Sequence, residues 1–339
     1  MDVLESFVAA LPKVELHVHL VGSASMDTVL ALARRHPDRG VPTSEEGLLE
    51  FYSFRDFPHF IAVYQAVSRL LSEPEDIADL VRGIGRDLAA QNVRYVELQA
   101  APYPWQRLGL PDAVISEALS TGARDVLDRY GVRIGYIVDF PGHNAGQDAA
   151  AALRFAQQNP PAGLVGFGIG GIEAGRAPYT DVIRDVFRAA HAGGLRCVPH
   201  AGETTGAETV WEAIEFLHAE RIGHGIRSLD DPALVTYLAD RQLPVDVAPT
   251  SNVCTRCVPS IGEHPLRRMI QAGLFVTLNS DDPPMFGTSL ANEYLVAGRD
   301  LGFAPAELAA LAGNGVRASF LAGAEKEALL AEIAAVPLP

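Results

Sequence analysis

The chain is short of basic residues: 27 Lys and Arg stand against 42 Asp and Glu, a net charge of −15 at pH 7 over 339 residues. A sequence-independent grip on phosphate backbones or anionic lipid needs clustered cations, so nucleic acid and membrane surfaces are not expected as partners. Cysteine is equally scarce. Cys197, Cys254 and Cys257 are too few and odd in number for the disulfide framework of a secreted domain. Cys254-Thr-Arg-Cys257 has redox or zinc-ligand spacing, yet no second Cys or His pair flanks it, and it reads as loop thiols. No apolar run approaches the length of a membrane span, and Met1 to Leu11 lacks the basic and apolar stretches of a signal peptide. No repeat, low-complexity tract or linker divides the chain. We therefore expect a cytoplasmic protein, and one domain over residues 1–339, for which 48% hydrophobic content supplies a large core. Oligomeric state is not legible at this level.

What is present is a repeated alternation of helix and short apolar strand. It begins at Pro12-Lys13-Val14-Glu15-Leu16-His17-Val18-His19, where apolar and polar residues alternate with period two and send both imidazoles to one side of a strand. Two such histidines can grip a metal ion; taken alone, the pair is also compatible with hydrogen-bonded core histidines. Ser25–Arg35 then carries a helical pattern. Residues 48–71 are aromatic-rich, with Phe51, Tyr52, Phe54, Phe57, Phe60 and Tyr64 around Pro58, one or two helices able to pack on the body or cover a pocket. From Ile77 the rhythm is regular, with strands expected over Val93–Gln99, Ile134–Phe140, Leu164–Ile169, Arg196–His200, Arg221–His224, Pro244–Val247 and Phe275–Asn279. One intervening helix is expected over Tyr179–Ala192. About eight strands alternating with helices predict an α/β fold, the (β/α)8 TIM barrel. Extra helices follow strand 1 and close the C-terminal end over Ala306–Ala335; a doubly wound open sheet is the other arrangement such alternation allows.

A barrel gathers its chemistry at the C-terminal ends of the strands. The unusual polar residues fall there: His17 and His19 on the first, His200 on the fifth, His224 on the sixth, Asp281 and Asp282 on the eighth. Three neutral imidazoles and one carboxylate, from His17, His19, His200 and Asp281, suit a zinc-like divalent ion with a position left for water. Glu203 follows His200 closely enough to take a proton from that water and pass it on. His224 lies between Gly223 and Gly225, which would let substrate approach closely, and is placed to hydrogen-bond the attacking water. The fourth strand ends in Val165-Gly166-Phe167-Gly168-Ile169-Gly170-Gly171, with no lysine or glutamate to bridge a second ion, so one metal per chain is expected. That run also spells G-x-G-x-x-G, but not at the first strand, and its glycines fit better as backbone on which a flat ring can lie.

Pro12 to His19, His200-Ala201-Gly202-Glu203, Arg221-Ile222-Gly223-His224-Gly225, Ser251-Asn252 and Thr277-Leu278-Asn279-Ser280-Asp281-Asp282-Pro283 together resemble the adenosine deaminase family of the amidohydrolase superfamily. The resemblance runs in order from about Leu11 to Phe320. It implies zinc-dependent hydrolytic deamination at C6 of a 6-aminopurine nucleoside, with water consumed and ammonia released. Carried over by position, it makes His17, His19, His200 and Asp281 the zinc ligands, Glu203 the acid that protonates ring N1, and His224 the histidine beside the water. Asp282 would meet N7 and the amide of Gly171 would meet N3. Two departures bear on substrate. Val21 stands where the family usually has an acid contacting the ribose 5′-hydroxyl, and Gly168 to Glu173 replaces Asp-Leu-Ala-Gly-Asp-Glu. An apolar residue disfavours a free hydroxyl. Within the family this points to deaminases of 6-amino-6-deoxyfutalosine, an intermediate of menaquinone synthesis. Val21, the segment 51–64 and the loop Tyr103–Arg107 would house its 5′ substituent, and Arg107, Arg176 or Arg55 would meet its carboxylate. Adenosine, methylthioadenosine, S-adenosylhomocysteine and adenine are alternative substrates. A non-catalytic zinc-binding barrel is the alternative from another class, disfavoured by Glu203 and His224 beside an open coordination position.

Overall fold

The computed structural model describes residues 2–142, 145–173 and 180–339. Eight parallel strands follow one another around one sheet in chain order: β1 Lys13–His19, β2 Val93–Ala100, β3 Arg133–Val138, β4 Leu164–Ile169, β5 Arg196–Ala201, β6 Ile222–His224, β7 Val245–Val247 and β8 Val276–Leu278. Most of their residues are buried, as strands covered on both faces must be. Helices fill the connections and form the outer layer, the tightest pair being Pro74–Ala90 against Asp112–Tyr130. This is the expected TIM barrel. The aromatic-rich segment forms two helices, Glu45–Phe51 and Phe57–Ser68, because Asp56 caps the second by accepting from the His59 amide at 2.8 Å and Pro58 fits its first turn. Pro305–Ala318 and Gly323–Ala334 close the C-terminal end. The helix expected from Tyr179 runs over Asp181–Ala192, residue 179 lying outside the described residues. No helix among the described residues is long and apolar enough to cross a membrane.

β6 to β8 are only three residues long, shorter than the apolar runs suggest, and buried side chains add bonds between the strands there. At the seam between β8 and β1, Asn279 Oδ1 accepts from the amides of Leu16 at 3.0 Å and His17 at 3.2 Å. Just beyond, the His19 amide donates to Asp281 O and the Asp281 amide donates to His17 O, both at 3.0 Å. Asn279 Nδ2 donates to Thr277 Oγ1 at 2.8 Å, whose hydroxyl donates to Asp246 Oδ1 at 2.6 Å. Arg221, wholly buried, donates from Nε to Asp246 and from Nη2 to Glu97, each at 2.5 Å, and from Nη2 to the Leu16 carbonyl at 3.1 Å. Buried charges are tolerable only when so fully partnered. The network ties β1, β2 and β7 to the start of β6 and fixes the height at which His17 emerges.

Candidate active site

His17 and His19 of β1, His200 of β5 and Asp281 after β8 each offer a ligand atom within 4.8 Å of the others. His200 Nε2 lies 3.3 Å from His19 Nε2, and Asp281 Oδ1 lies 3.2 Å from His19 Nε2 and 3.6 Å from His17 Nε2. His17 is fully buried, and both its ring nitrogens, like Asp281 Oδ1, have no hydrogen-bond partner. Buried polar atoms are rarely left so; lone pairs converging on one point are what a divalent ion requires. The field agrees. Burial works against a charge on His19, yet the Asp282, Asp281 and Asp139 carboxylates raise its pKa to about 10, so the site favours positive charge. Burial likewise opposes ionisation of Asp281, but the imidazoles of His17 and His19 beside its carboxylate outweigh it and hold its carboxyl well below the usual range. Ser251 Oγ donates to Asp281 Oδ2 at 2.6 Å, leaving Oδ1 to the cluster. The chain thus has a metal-capable site of three histidines and one carboxylate.

The acid and the histidine of β6 stand beside it. The amides of Glu203, Thr204 and Thr205 surround one oxygen of Glu173, Oε2, at 2.9, 2.6 and 3.2 Å, an anion nest that shapes the turn carrying Glu203. The Cys257 thiol, pushed up to about 12 chiefly by burial and so protonated, donates to Glu203 Oε1 at 3.8 Å. His224 Nε2 lies 3.7 Å from Glu203 Oε2 and 3.8 Å from Asp281 Oδ2. His224 and Asp281 both adopt left-handed backbone, φ +61° and +67°, which costs a non-glycine residue about 1–3 kcal/mol. The flanking glycines serve the fold and not substrate approach, a correction to the sequence reading. A Cβ at Gly223 would stand 2.7 Å from His17 Cε1, and one at Gly225 2.5 Å from Val245 Cγ1.

A cavity opens over these groups. Phe57, Phe60, Ile61 and Tyr64 of one helix wall it, with Tyr103 and Phe286; Asp139, Gly170, Gly171 and Asp282 line it elsewhere. Gly171 has φ +74°. Asp282 is 3% exposed, and burial, then the neighbouring Asp281, push its carboxyl well up. Gly22 makes room for it: a Cβ there would overlap Asp282 Oδ1 at 1.6 Å.

The adenosine deaminase family model matches residues 12–336. The chain belongs to the adenosine deaminase family. This deaminase is 47% identical over 332 residues to an aminodeoxyfutalosine deaminase of Streptomyces avermitilis, covering 97% of this chain and 92% of the relative. A Streptomyces coelicolor enzyme of the same name is also 47% identical, with 97% and 85% covered. An adenine deaminase of Rhizobium leguminosarum is 37% identical, with 95% and 99% covered. Of solved structures, an adenine deaminase from Arthrobacter aurescens superposes with a TM-score of 0.88 at 32% identity, covering 96% and 98%. An amidohydrolase from Burkholderia ambifaria with bound Zn gives 0.90 at 29%, covering 98% and 93%. Members of this family are hydrolases acting on C–N bonds.

Not every residue singled out in the sequence reaches the deaminase's cavity. Val21 is 4% exposed, belongs to the apolar core and does not line it; the aromatic wall is in its place. Arg107 points to Asp148, with Nη2 3.0 Å from Oδ1, and Arg55 does not line the cavity either; its carbonyl accepts from Arg256 at 2.6 Å. Arg176 lies outside the described residues. Asp139 was missed. It follows β3, lines the cavity 5% exposed, and its Oδ1 has no hydrogen-bond partner. The signal was available, an acid just past a strand end, but the expected strand ran on to Phe140 and swallowed it.

Proposed function

We propose that this deaminase hydrolyses the 6-amino group of a purine nucleoside with one zinc ion per chain, and that its substrate is 6-amino-6-deoxyfutalosine, giving futalosine and ammonia. One juxtaposition supports this most: Glu203 and His224, 3.7 Å apart, beside a three-histidine, one-carboxylate cluster at the base of an aromatic-walled cavity. His17, His19, His200 and Asp281 would hold the ion, which when bound supplies Lewis-acid activation of water. Glu203 takes the water's proton and delivers one to ring N1. His224 donates from Nε2 toward the attacking oxygen. Asp282, whose carboxyl burial and the neighbouring Asp281 push well up, would hydrogen-bond N7. The Gly171 amide faces N3. The apolar wall of Phe57, Phe60, Ile61 and Phe286 fits a 5′-extended nucleoside better than a polar one, and the relatives at 47% identity carry that activity in their names. A cytoplasmic, menaquinone-making role follows from that substrate. Adenine is the second reading, favoured by the adenine deaminases at 37% identity and by the solved structure at TM-score 0.88.

Ammonia release by the zinc-loaded protein, compared across 6-amino-6-deoxyfutalosine, methylthioadenosine, adenosine and adenine, decides between them. The first should lead in kcat/KM by about a hundredfold, roughly 2.7 kcal/mol of transition-state discrimination. Adenine or adenosine matching it overturns the substrate while leaving the deaminase class intact.

A further inference from the structure

Asn252 and His264 line neither the metal cluster nor the cavity, yet they form a buried row that ends on His224. We infer that His264, acting through Asn252, fixes which ring nitrogen of His224 carries its proton, making the two of them positioning residues of the reaction. The row starts at a bond whose direction is beyond choice. The Leu266 amide lies 3.2 Å from His264 Nδ1, and a backbone N–H can only donate. Nδ1 therefore presents a lone pair, and the proton of the neutral ring sits on Nε2. That Nε2 is 3.1 Å from Asn252 Oδ1, which must accept. The same carboxamide then turns Nδ2 to His224 Nδ1, 3.1 Å away, and donates. One backbone bond thus settles the Asn252 amide and both imidazole tautomers, features that heavy-atom positions alone leave open.

The proton of His224 is left on Nε2, the nitrogen that faces Glu203 and Asp281. The opposite arrangement sets donor against donor. Asn252 turned over would press its Nδ2 on the Nε2–H of His264, and His224 would aim a bare lone pair at two carboxylates. Bulk water does not reach the row to relieve that clash, because Asn252, His224 and His264 are 0%, 1% and 4% exposed. Burial and the Arg268 charge hold His264 down to about 4, in keeping with a neutral ring. Ser251, next to Asn252, holds Asp281, so the short helix Pro249–Cys254 orients two site groups at once.

Nitrogen-15 NMR of the zinc-loaded, histidine-labelled protein tests the tautomer directly, and steady-state kinetics on the preferred substrate tests its use. Only the kinetic arm rests on the proposed function. The wild type should show His224 protonated at Nε2 and bare at Nδ1. His264→Leu should move that proton toward Nδ1 and lower kcat by about a hundredfold, the effect of losing one aimed donor, with KM and zinc content held. His264→Gln, which can still accept from Leu266 and donate to Asn252, should retain kcat within about tenfold. A wild-type proton on Nδ1 overturns the inference, as does an unchanged kcat in His264→Leu or an equal loss in His264→Gln. Should the leucine variant not fold, the wild-type spectrum decides alone. The expected spectrum in a protein that deaminates nothing on the panel would leave the relay standing and remove the proposed function.

Discussion

A carboxylate that both takes and returns a proton needs neighbours that do not lock its charge. Glu203 has a protonated thiol at Oε1 and an imidazole N–H near Oε2, neither a fixed cation. Glu203→Gln keeps the shape and loses the proton shuttle. Its kcat should fall by about 10²–10⁴-fold while zinc content, measured by atomic absorption, stays at the wild-type level; surviving turnover would remove Glu203 from its role. At this scale the sequence reveals residues whose chemistry is written in their type and in their place at a strand end, such as His17, His200 and Asp281. It hides those that act through a distant partner. Glu173 has meaning only because the amides of residues 203–205 fold around it, Cys257 because Glu203 is there, and His264 because Asn252 and Leu266 bracket it. Cys257, read as a loop thiol, is a buried donor to the acid; Cys254 is exposed.

Among the elements, the strands were countable from their apolar runs, whereas the helix Phe57–Ser68 was ambiguous between packing and covering. It does both, for a physical reason. Phe60 is 6% exposed and packs its ring 4.9 Å from Phe286 and 5.2 Å from Phe54, yet the same face walls the cavity. Apolar periodicity reports a buried face but not whether protein or ligand will bury it. Phe60→Ala should therefore act on selectivity. The kcat/KM ratio of a 5′-extended nucleoside over adenine should drop by at least about tenfold, within the range that lost apolar pocket contacts supply. An unchanged ratio would place the 5′ group elsewhere.

For the molecule as a whole, the metal-capable site and the closure of the barrel are one structure: Asp281 meets β1 by its backbone and the cluster by its side chain. Chelation should accordingly lower thermal stability and leave the helical far-ultraviolet spectrum largely in place. An ion at a hundred times its Kd contributes about 2.7 kcal/mol, a fall in Tm on the order of 5 °C for a chain of this size, restored by zinc. A melting curve indifferent to chelator would separate closure from metal.

The two sides of that seam are made at opposite ends of synthesis. Leu16, 263 residues before Asn279, leaves the ribosome long before its partner exists. A nascent chain halted after β5 already owns His17, His19 and His200 but has neither the carboxylate nor the last strand to close against. The four-ligand site and the closure of the strand ring are therefore acquired in the same step of synthesis: no chain that ends before Asp281 can assemble either one.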